Sequence, residues 1–164
     1  MANMIELQQV EKTYPGPVPT KVLHGIDLAF EAGSFNSIIG ASGSGKSTLL
    51  NVMSTLDRPT GGKVFLNGIR TDTMRKNPLA ELRNETIGFV FQFHYLLPEF
   101  TALENVLLPY RIQHGRVTDE ARDRAEKLLA LMGLTKVKDN LATKMSGGQQ
   151  QRTAIARALI NRPK

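Results

Sequence analysis

The chain has 164 residues, 41% of them apolar and 22% charged, enough for one domain with a real core and too few for two comfortable ones. No apolar run approaches the roughly 18 residues of a membrane helix, the N-terminus lacks a signal-peptide pattern, and the absence of cysteine excludes disulfides, thiolate metal sites and a cysteine nucleophile. The 21 Lys and Arg against 15 Asp and Glu give a net charge of +6, but they are scattered, which argues against a dedicated nucleic-acid arm.

Taken in chain order, strand-like and helix-like segments alternate. Met4–Tyr14 places Ile5, Leu7 and Val10 among polar residues, as a half-buried strand does, and Pro15-Gly16-Pro17 ends it. A second strand is expected over Val22–Phe30. The short apolar run Phe35–Ile39 reads as a buried parallel strand. A helix is predicted from Lys46 to about Leu56, then a turn at Pro59–Gly62 and a strand over Lys63–Asn67. Pro78–Asn84 looks helical and Ile87–Phe91 looks like another strand. Thr101-x-x-Glu104 has the spacing of a capping box and opens a helix. Thr118–Met132 is the clearest amphipathic helix, with Ala121, Ala125, Leu128, Leu129 and Met132 on one face and Gly133 as its stop. The expected fold is α/β, with antiparallel N-terminal strands, a parallel core sheet and a helical middle section.

Gly40–Thr48 reads GASGSGKST and fits G-x-x-x-x-G-K-[ST] residue for residue, between a predicted strand and a predicted helix. Gly40, Gly43 and Gly45 admit backbone angles closed to residues with a Cβ, so that the N–H groups of Gly40, Ala41, Ser42, Gly43, Ser44, Gly45, Lys46, Ser47 and Thr48 can converge on phosphate oxygens. The helix that follows aims its positive end at the same anion. Lys46 supplies a full positive charge to the β- and γ-phosphates, and the Ser47 hydroxyl suits Mg²⁺. The spacing rules out a dinucleotide fingerprint. It predicts a nucleoside triphosphate site with Mg²⁺.

A second helix start is unusual in another way. In Met145–Leu159, Ser146 and Gln149 form an S-x-x-Q capping box, and the apolar stripe is expected at Ala154, Ile155, Ala158 and Leu159. Capping leaves Gly147 and Gly148 unexplained, since each weakens a helix by up to about 1 kcal/mol relative to alanine. Glycines there make sense if an anion must approach bare backbone N–H groups.

The P-loop followed by this Ser-Gly-Gly-Gln resembles the ATP-binding cassette (ABC) family, whose signature begins with a leucine where this chain has Met145. The resemblance covers nearly the whole chain. It implies a single nucleotide-binding domain over 1–164: a P-loop core and β subdomain to about 91, a helical subdomain over about 92–150 and the signature helix over 151–164. It also implies that two copies pack head to tail, so that Ser146, Gly147, Gly148 and Gln149 act in trans on the ATP held by the partner's P-loop. Tyr14 matches an aromatic that stacks on adenine, and Gln92 a glutamine that reaches Mg²⁺ and the attacking water, which makes Ser47 and Gln92 the implied metal contacts.

The stretch Gln92–Pro109, QFHYLLPEFTALENVLLP, resembles the ATPase subunits of bacterial lipoprotein-releasing transporters and of related macrolide and peptide exporters. Phe91, Phe93, Tyr95, Leu96, Leu97 and Phe100 crowd apolar surface into one loop-like region. That crowding fits either a small local core or a groove for an integral membrane permease. The implied place is the cytoplasmic face of the bacterial inner membrane, held there peripherally, with no nucleic acid partner.

In this family hydrolysis needs an apolar strand ending in Asp-Glu and a later histidine. Neither follows Gly148 before Lys164, and His24, His94 and His114 all precede the signature. The sequence is therefore expected to be the N-terminal portion of a cassette, with an incomplete core sheet and no certain catalytic residue beyond a supporting Gln92. The family activity is ATP hydrolysis, while these 164 residues alone are expected to be hydrolysis-deficient. Two other readings stay open: a cassette of DNA repair or chromosome work, disfavoured by the lack of long coiled coils and zinc-binding cysteines, and a nucleotide-binding fragment without turnover.

Overall fold

A computed structural model describes residues 3–164. The chain divides into two compact units, the first ending at Leu79 and the second running Ala80–Lys164.

The first unit is built on β1 (Asn3–Tyr14), β2 (Thr20–Glu31), β3 (Gly61–Leu66) and β4 (Ile69–Arg70), with helix α1 (Lys46–Met53). The strands form one sheet in the order β2-β1-β3-β4, antiparallel throughout. In β1 the step from Leu7 to Val10 is odd, so a regular strand would send one of them outward. A bulge resolves this. The register shifts between Leu7 and Val10, Gln9 takes a left-handed φ of 48°, and its N–H donates to Asp27 Oδ1 at 2.8 Å. Both Leu7 and Val10 then reach the core with Leu23, Val52, Met53 and Val64. Burying side chains of this size contributes about 1.5–3 kcal/mol each.

Two expected strands do not form. Phe35–Ile39 and Ile87–Phe91 carry no strand pairing among the described residues. A parallel strand is stabilised by neighbours on its flanks, and β-branched residues cannot substitute for them. Phe35 is consequently fully exposed and Ile39 is 88% exposed, with only Ile38 packed against the core. The expected parallel core sheet thus does not form among the described residues, while the expected antiparallel N-terminal strands and the mixed α/β class hold. Helix α1 also stops three residues before Leu56.

The second unit is helical. Helix α2 (Lys76–Thr86) crosses the division, followed by α3 (Ala102–His114), α4 (Asp119–Leu131) and α5 (Gly147–Leu159). Thr101 and Glu104 form the expected capping box of α3, and the Thr118 hydroxyl accepts from the Ala121 N–H at the start of α4. The α4 face buries Ala121, Ala125, Leu128 and Leu129 as its periodicity predicts, with Met132 partly buried beside them. Pro109 lies inside α3, where it removes one helical N–H donor. Its own carbonyl accepts from Asn84 Nδ2 at 3.1 Å.

The buried face of α5 is rotated from the expected stripe. Thr153, Ala154, Ala156 and Ile160 are buried, Ile155 and Ala158 are half-buried, and Leu159 is exposed. The small side chains let α5 approach its neighbours closely, and the one polar member is satisfied by a bond from Thr153 Oγ1 to the Gln149 carbonyl at 2.9 Å. At the other end Arg124 donates to the carbonyls of Leu159 and Ile160 at 2.7 and 2.8 Å, satisfying acceptors that a helix end leaves open.

Candidate functional site

In the first unit, α1 begins at Lys46 with Gly45 as N-cap at φ +90°, and no side chain caps it. Its leading N–H groups are therefore offered to whatever anion approaches. A Cβ on Gly45 would stand 3.0 Å from Val22 Cγ1 and 3.4 Å from the Val22 carbonyl, so packing against β2 and backbone angle both require glycine there. The Lys46 ammonium lies within the loop, donating to the carbonyls of Ala41 at 2.6 Å and Gly40 at 3.0 Å and more weakly to Ser44 Oγ at 3.4 Å. Gly40–Ser44 and Ser47 are exposed, while Gly45, Lys46 and Thr48 are half-buried. The loop is an open cradle with a cation already seated in it, which fits a polyphosphate.

For Mg²⁺ the first unit offers an oxygen of the right hardness in the Ser47 hydroxyl, and Gln92 is an exposed amide of the second unit. No cluster of three or more carboxylates, histidines or cysteines exists among the described residues. The remaining ligands would have to be phosphate oxygens and water.

Tyr14 closes β1 in a small network that the sequence did not reveal. Its hydroxyl donates to Asp57 Oδ2 at 3.0 Å, and Lys12 donates to Asp57 Oδ1 and to the Arg58 carbonyl, each at 2.7 Å. Lys12 Nζ also sits 4.9 Å from the Tyr14 ring centroid. Burial alone would raise the Asp57 carboxyl, but hydrogen bonds from Lys12, Tyr14 and the Arg58 N–H outweigh it and hold the group below the usual carboxylate range. The phenol is tethered at its tip, so the ring orientation is fixed. Lys12 and Asp57 are separated by 45 positions in sequence, and no local pattern pairs them.

In the second unit, Ser146 and Gln149 make both bonds of the capping box. The Ser146 N–H donates to Gln149 Oε1 at 2.9 Å and the Gln149 N–H to Ser146 Oγ at 3.4 Å. Gly147 and Gly148 are exposed. A Cβ on Gly147 would meet nothing within 4 Å, and one on Gly148 only the end of Arg152 at 3.6 Å. The chain's own packing therefore does not demand either glycine.

Gln92 opens an exposed apolar segment. Phe93 is 73% exposed and Tyr95 63%, with Phe89, Phe91 and Tyr95 in contact at ring-centroid separations of 4.4 and 5.1 Å. The structure thus favours a surface over a closed local core at Phe93, Tyr95 and Leu97. Asn105, fully buried, holds the segment behind this surface. Its carbonyl accepts from the Leu97 N–H at 2.8 Å, and its amide donates to the carbonyls of Leu97, Phe100 and Thr101. Of the histidines, His114 stacks on Tyr110 and His94 is drawn into the turn after Gln92.

The family model described as "ABC transporter" matches residues 23–164. The chain belongs to that family. An ABC relative, the lipoprotein-releasing system ATP-binding protein LolD 1 of Rhodopseudomonas palustris, is 50% identical over 99% of this chain and 73% of its own length. The LolD of Anaeromyxobacter dehalogenans is 53% identical over 98% of this chain and 67% of its own. Among solved structures, the bacterial ABC transporter cassette MJ0796 in dimeric form superimposes with a TM-score of 0.91 at 44% identity, covering 98% of this chain and 71% of that one. A post-hydrolysis dimer of the same cassette, bound to ADP and Pi, gives 0.91 at 43% identity over the same shares.

Proposed function

We propose that this ABC protein is the ATP-binding subunit of a transporter that releases lipoproteins from the bacterial inner membrane. The observation that carries the reading is identity of about half over 98–99% of the chain to LolD proteins, with the P-loop and the S-G-G-Q helix start intact. ATP supplies the anionic polyphosphate and the free energy of its cleavage. Gly40–Thr48 bind it and Lys46 neutralises its terminal charge. Tyr14 stacks on adenine with the ring face away from Lys12. Ser47 and Gln92 take Mg²⁺, and Ser146–Gln149 of a second copy close on the γ-phosphate.

ATP hydrolysis is the activity of the assembled system. The 164 residues by themselves are expected to hold nucleotide without sustained turnover, because they contain no apolar strand running into Asp-Glu to polarise the attacking water. No described helix is long and apolar enough to cross a membrane. Attachment to the membrane would therefore run through permease subunits, and the exposed Phe93, Tyr95 and Leu97 are the surface proposed to meet them. A macrolide or peptide exporter would use the same ATP chemistry on another cargo.

The reading is tested by loading vesicles that contain the permease partners and a lipidated protein, then adding ATP. Transfer of the lipidated protein to a soluble acceptor supports it; retention of that protein with extrusion of a macrolide selects the exporter instead. A narrower check is Leu97→Glu. It is expected to cut the membrane-bound fraction about tenfold, as a charge forced into an apolar contact does, while nucleotide affinity is unchanged. Undiminished membrane recovery would remove Leu97 from the docking surface.

A further inference from the structure

We propose that Arg157 is the positioning residue that fixes the Gln92–Tyr95 turn to helix α5, joining the segment that carries Gln92 to the helix that starts at Ser146. The turn is an unfavourable one. His94 and Tyr95 both adopt left-handed backbone, at φ 60° and 46°, a conformation that residues with a Cβ rarely hold in succession. Its local bonds are few: the His94 N–H donates to the Phe91 carbonyl at 3.2 Å and the Tyr95 N–H to that of Phe93 at 2.6 Å. Two consecutive left-handed residues turn their carbonyls toward the same side, which presents a pair of acceptors. Arg157 takes both, with Nη2 donating to His94 O at 2.5 Å and Nη1 to Tyr95 O at 2.6 Å.

Only a planar fork of donors fits such a pair, and a lysine ammonium offers a single point charge in its place. Among the described residues no carboxylate pairs with Arg157, so the guanidinium is committed to the turn. The segment leading into the turn also lies close against α5, where a Cβ on Gly88 would stand 2.5 Å from the Ala158 carbonyl. Arg157 lies in the last turn of α5 and Ser146 caps its first. About 16 Å of helix separates them at 1.5 Å per residue. A shift of the turn is thereby passed to the helix start as a rigid displacement.

The consequence for turnover rests on the ATPase reading above, whereas the clamp itself does not. The test is amide hydrogen exchange on the purified protein, with Arg157→Gln and Arg157→Lys beside wild type. Arg157→Gln is expected to speed exchange at the His94 and Tyr95 amides about tenfold or more, the loss of a charge-assisted bond. Amides of α3 and of Ala154 and Ala156 should stay within about twofold of wild type. Arg157→Lys should show a smaller acceleration at the same two amides, and it decides the matter if the glutamine variant does not fold. In ATPase assays of the system assembled with its permeases, kcat should fall while KM for ATP is kept. Unchanged exchange at His94 and Tyr95, or acceleration spread evenly through α3 and α5, overturns the clamp. Local release with kcat intact overturns the coupling. If the system assembled with its permeases shows no ATPase activity the functional reading fails, and the exchange data still decide on Arg157.

Discussion

Lys46→Ala is expected to weaken ATP binding by at least about a hundredfold, read by titration with a fluorescent nucleotide. The size follows from the charge geometry. A unit charge about 4 Å from a phosphate charge contributes about 4 kcal/mol at the effective dielectric of a protein surface, and an alanine supplies none of it. Part of the advantage is preorganisation, because Lys46 is already held inside the loop by the carbonyls of Gly40 and Ala41. The phosphate therefore finds the cation in place and does not have to order it. Lys46→Arg should not restore binding, since a planar guanidinium cannot occupy a spot shaped for a single ammonium. The folded state loses only exposed hydrogen bonds, so the melting temperature of the alanine variant should stay within a few degrees, about what a surface change costs. Retention of affinity within about threefold would exclude Gly40–Thr48 as the nucleotide site.

Gly62→Ala should be the most damaging small substitution in the first unit. Gly62 sits in β3 at φ +83°, and a Cβ there would stand 2.2 Å from the Gln9 carbonyl oxygen and 2.6 Å from that of Gln8. Both are backbone atoms of the β1 bulge, which no rotamer change can move aside. Either β3 leaves β1 or the bulge is lost, and losing the bulge would turn Leu7 or Val10 away from the core. A cost of about 3 kcal/mol or more is expected, which for a unit of this size lowers the melting temperature by about 15 °C. Gly68→Ala is the control. Its φ of +76° is similar but nothing lies within 4 Å of the added Cβ, so only about 1–2 kcal/mol of backbone strain applies. Calorimetry on both variants separates crowding from strain, and equal losses would contradict the part assigned to Gln8 and Gln9.

The parts legible in the sequence are those whose causes are local. The P-loop and both capping boxes lie within nine residues each, so residue type and spacing determine them. The α4 face follows in the same way, because its periodicity and its burial are set by one helix. The misreadings share a different cause. Phe35–Ile39 and Ile87–Phe91 have strand composition, but a parallel strand exists only in the company of others, and composition cannot report the company. The expected α5 stripe holds at Ala154 but not at Ile155 and Leu159, because hydrophobicity favours those two whereas close approach of helices selects Ala156 and a self-satisfied Thr153. Asn105 and Arg157 carried no signal in sequence, since their partners are backbone carbonyls, present at every position. The odd step from Leu7 to Val10 could have been read as a bulge, and Gly62 could have been read as the space left for it.

Unlike Gly62, which is crowded, and Gly68, whose φ is positive, Gly147 and Gly148 are required by neither crowding nor backbone angle. A defect there would go unnoticed by folding, solubility or abundance. In the proposed head-to-tail pair the altered copy would still assemble, and it would spoil the site that its normal partner's P-loop helps to form. Such alleles would therefore be dominant over the wild type, whereas a change at Gly62 removes the copy from circulation and behaves as a recessive loss.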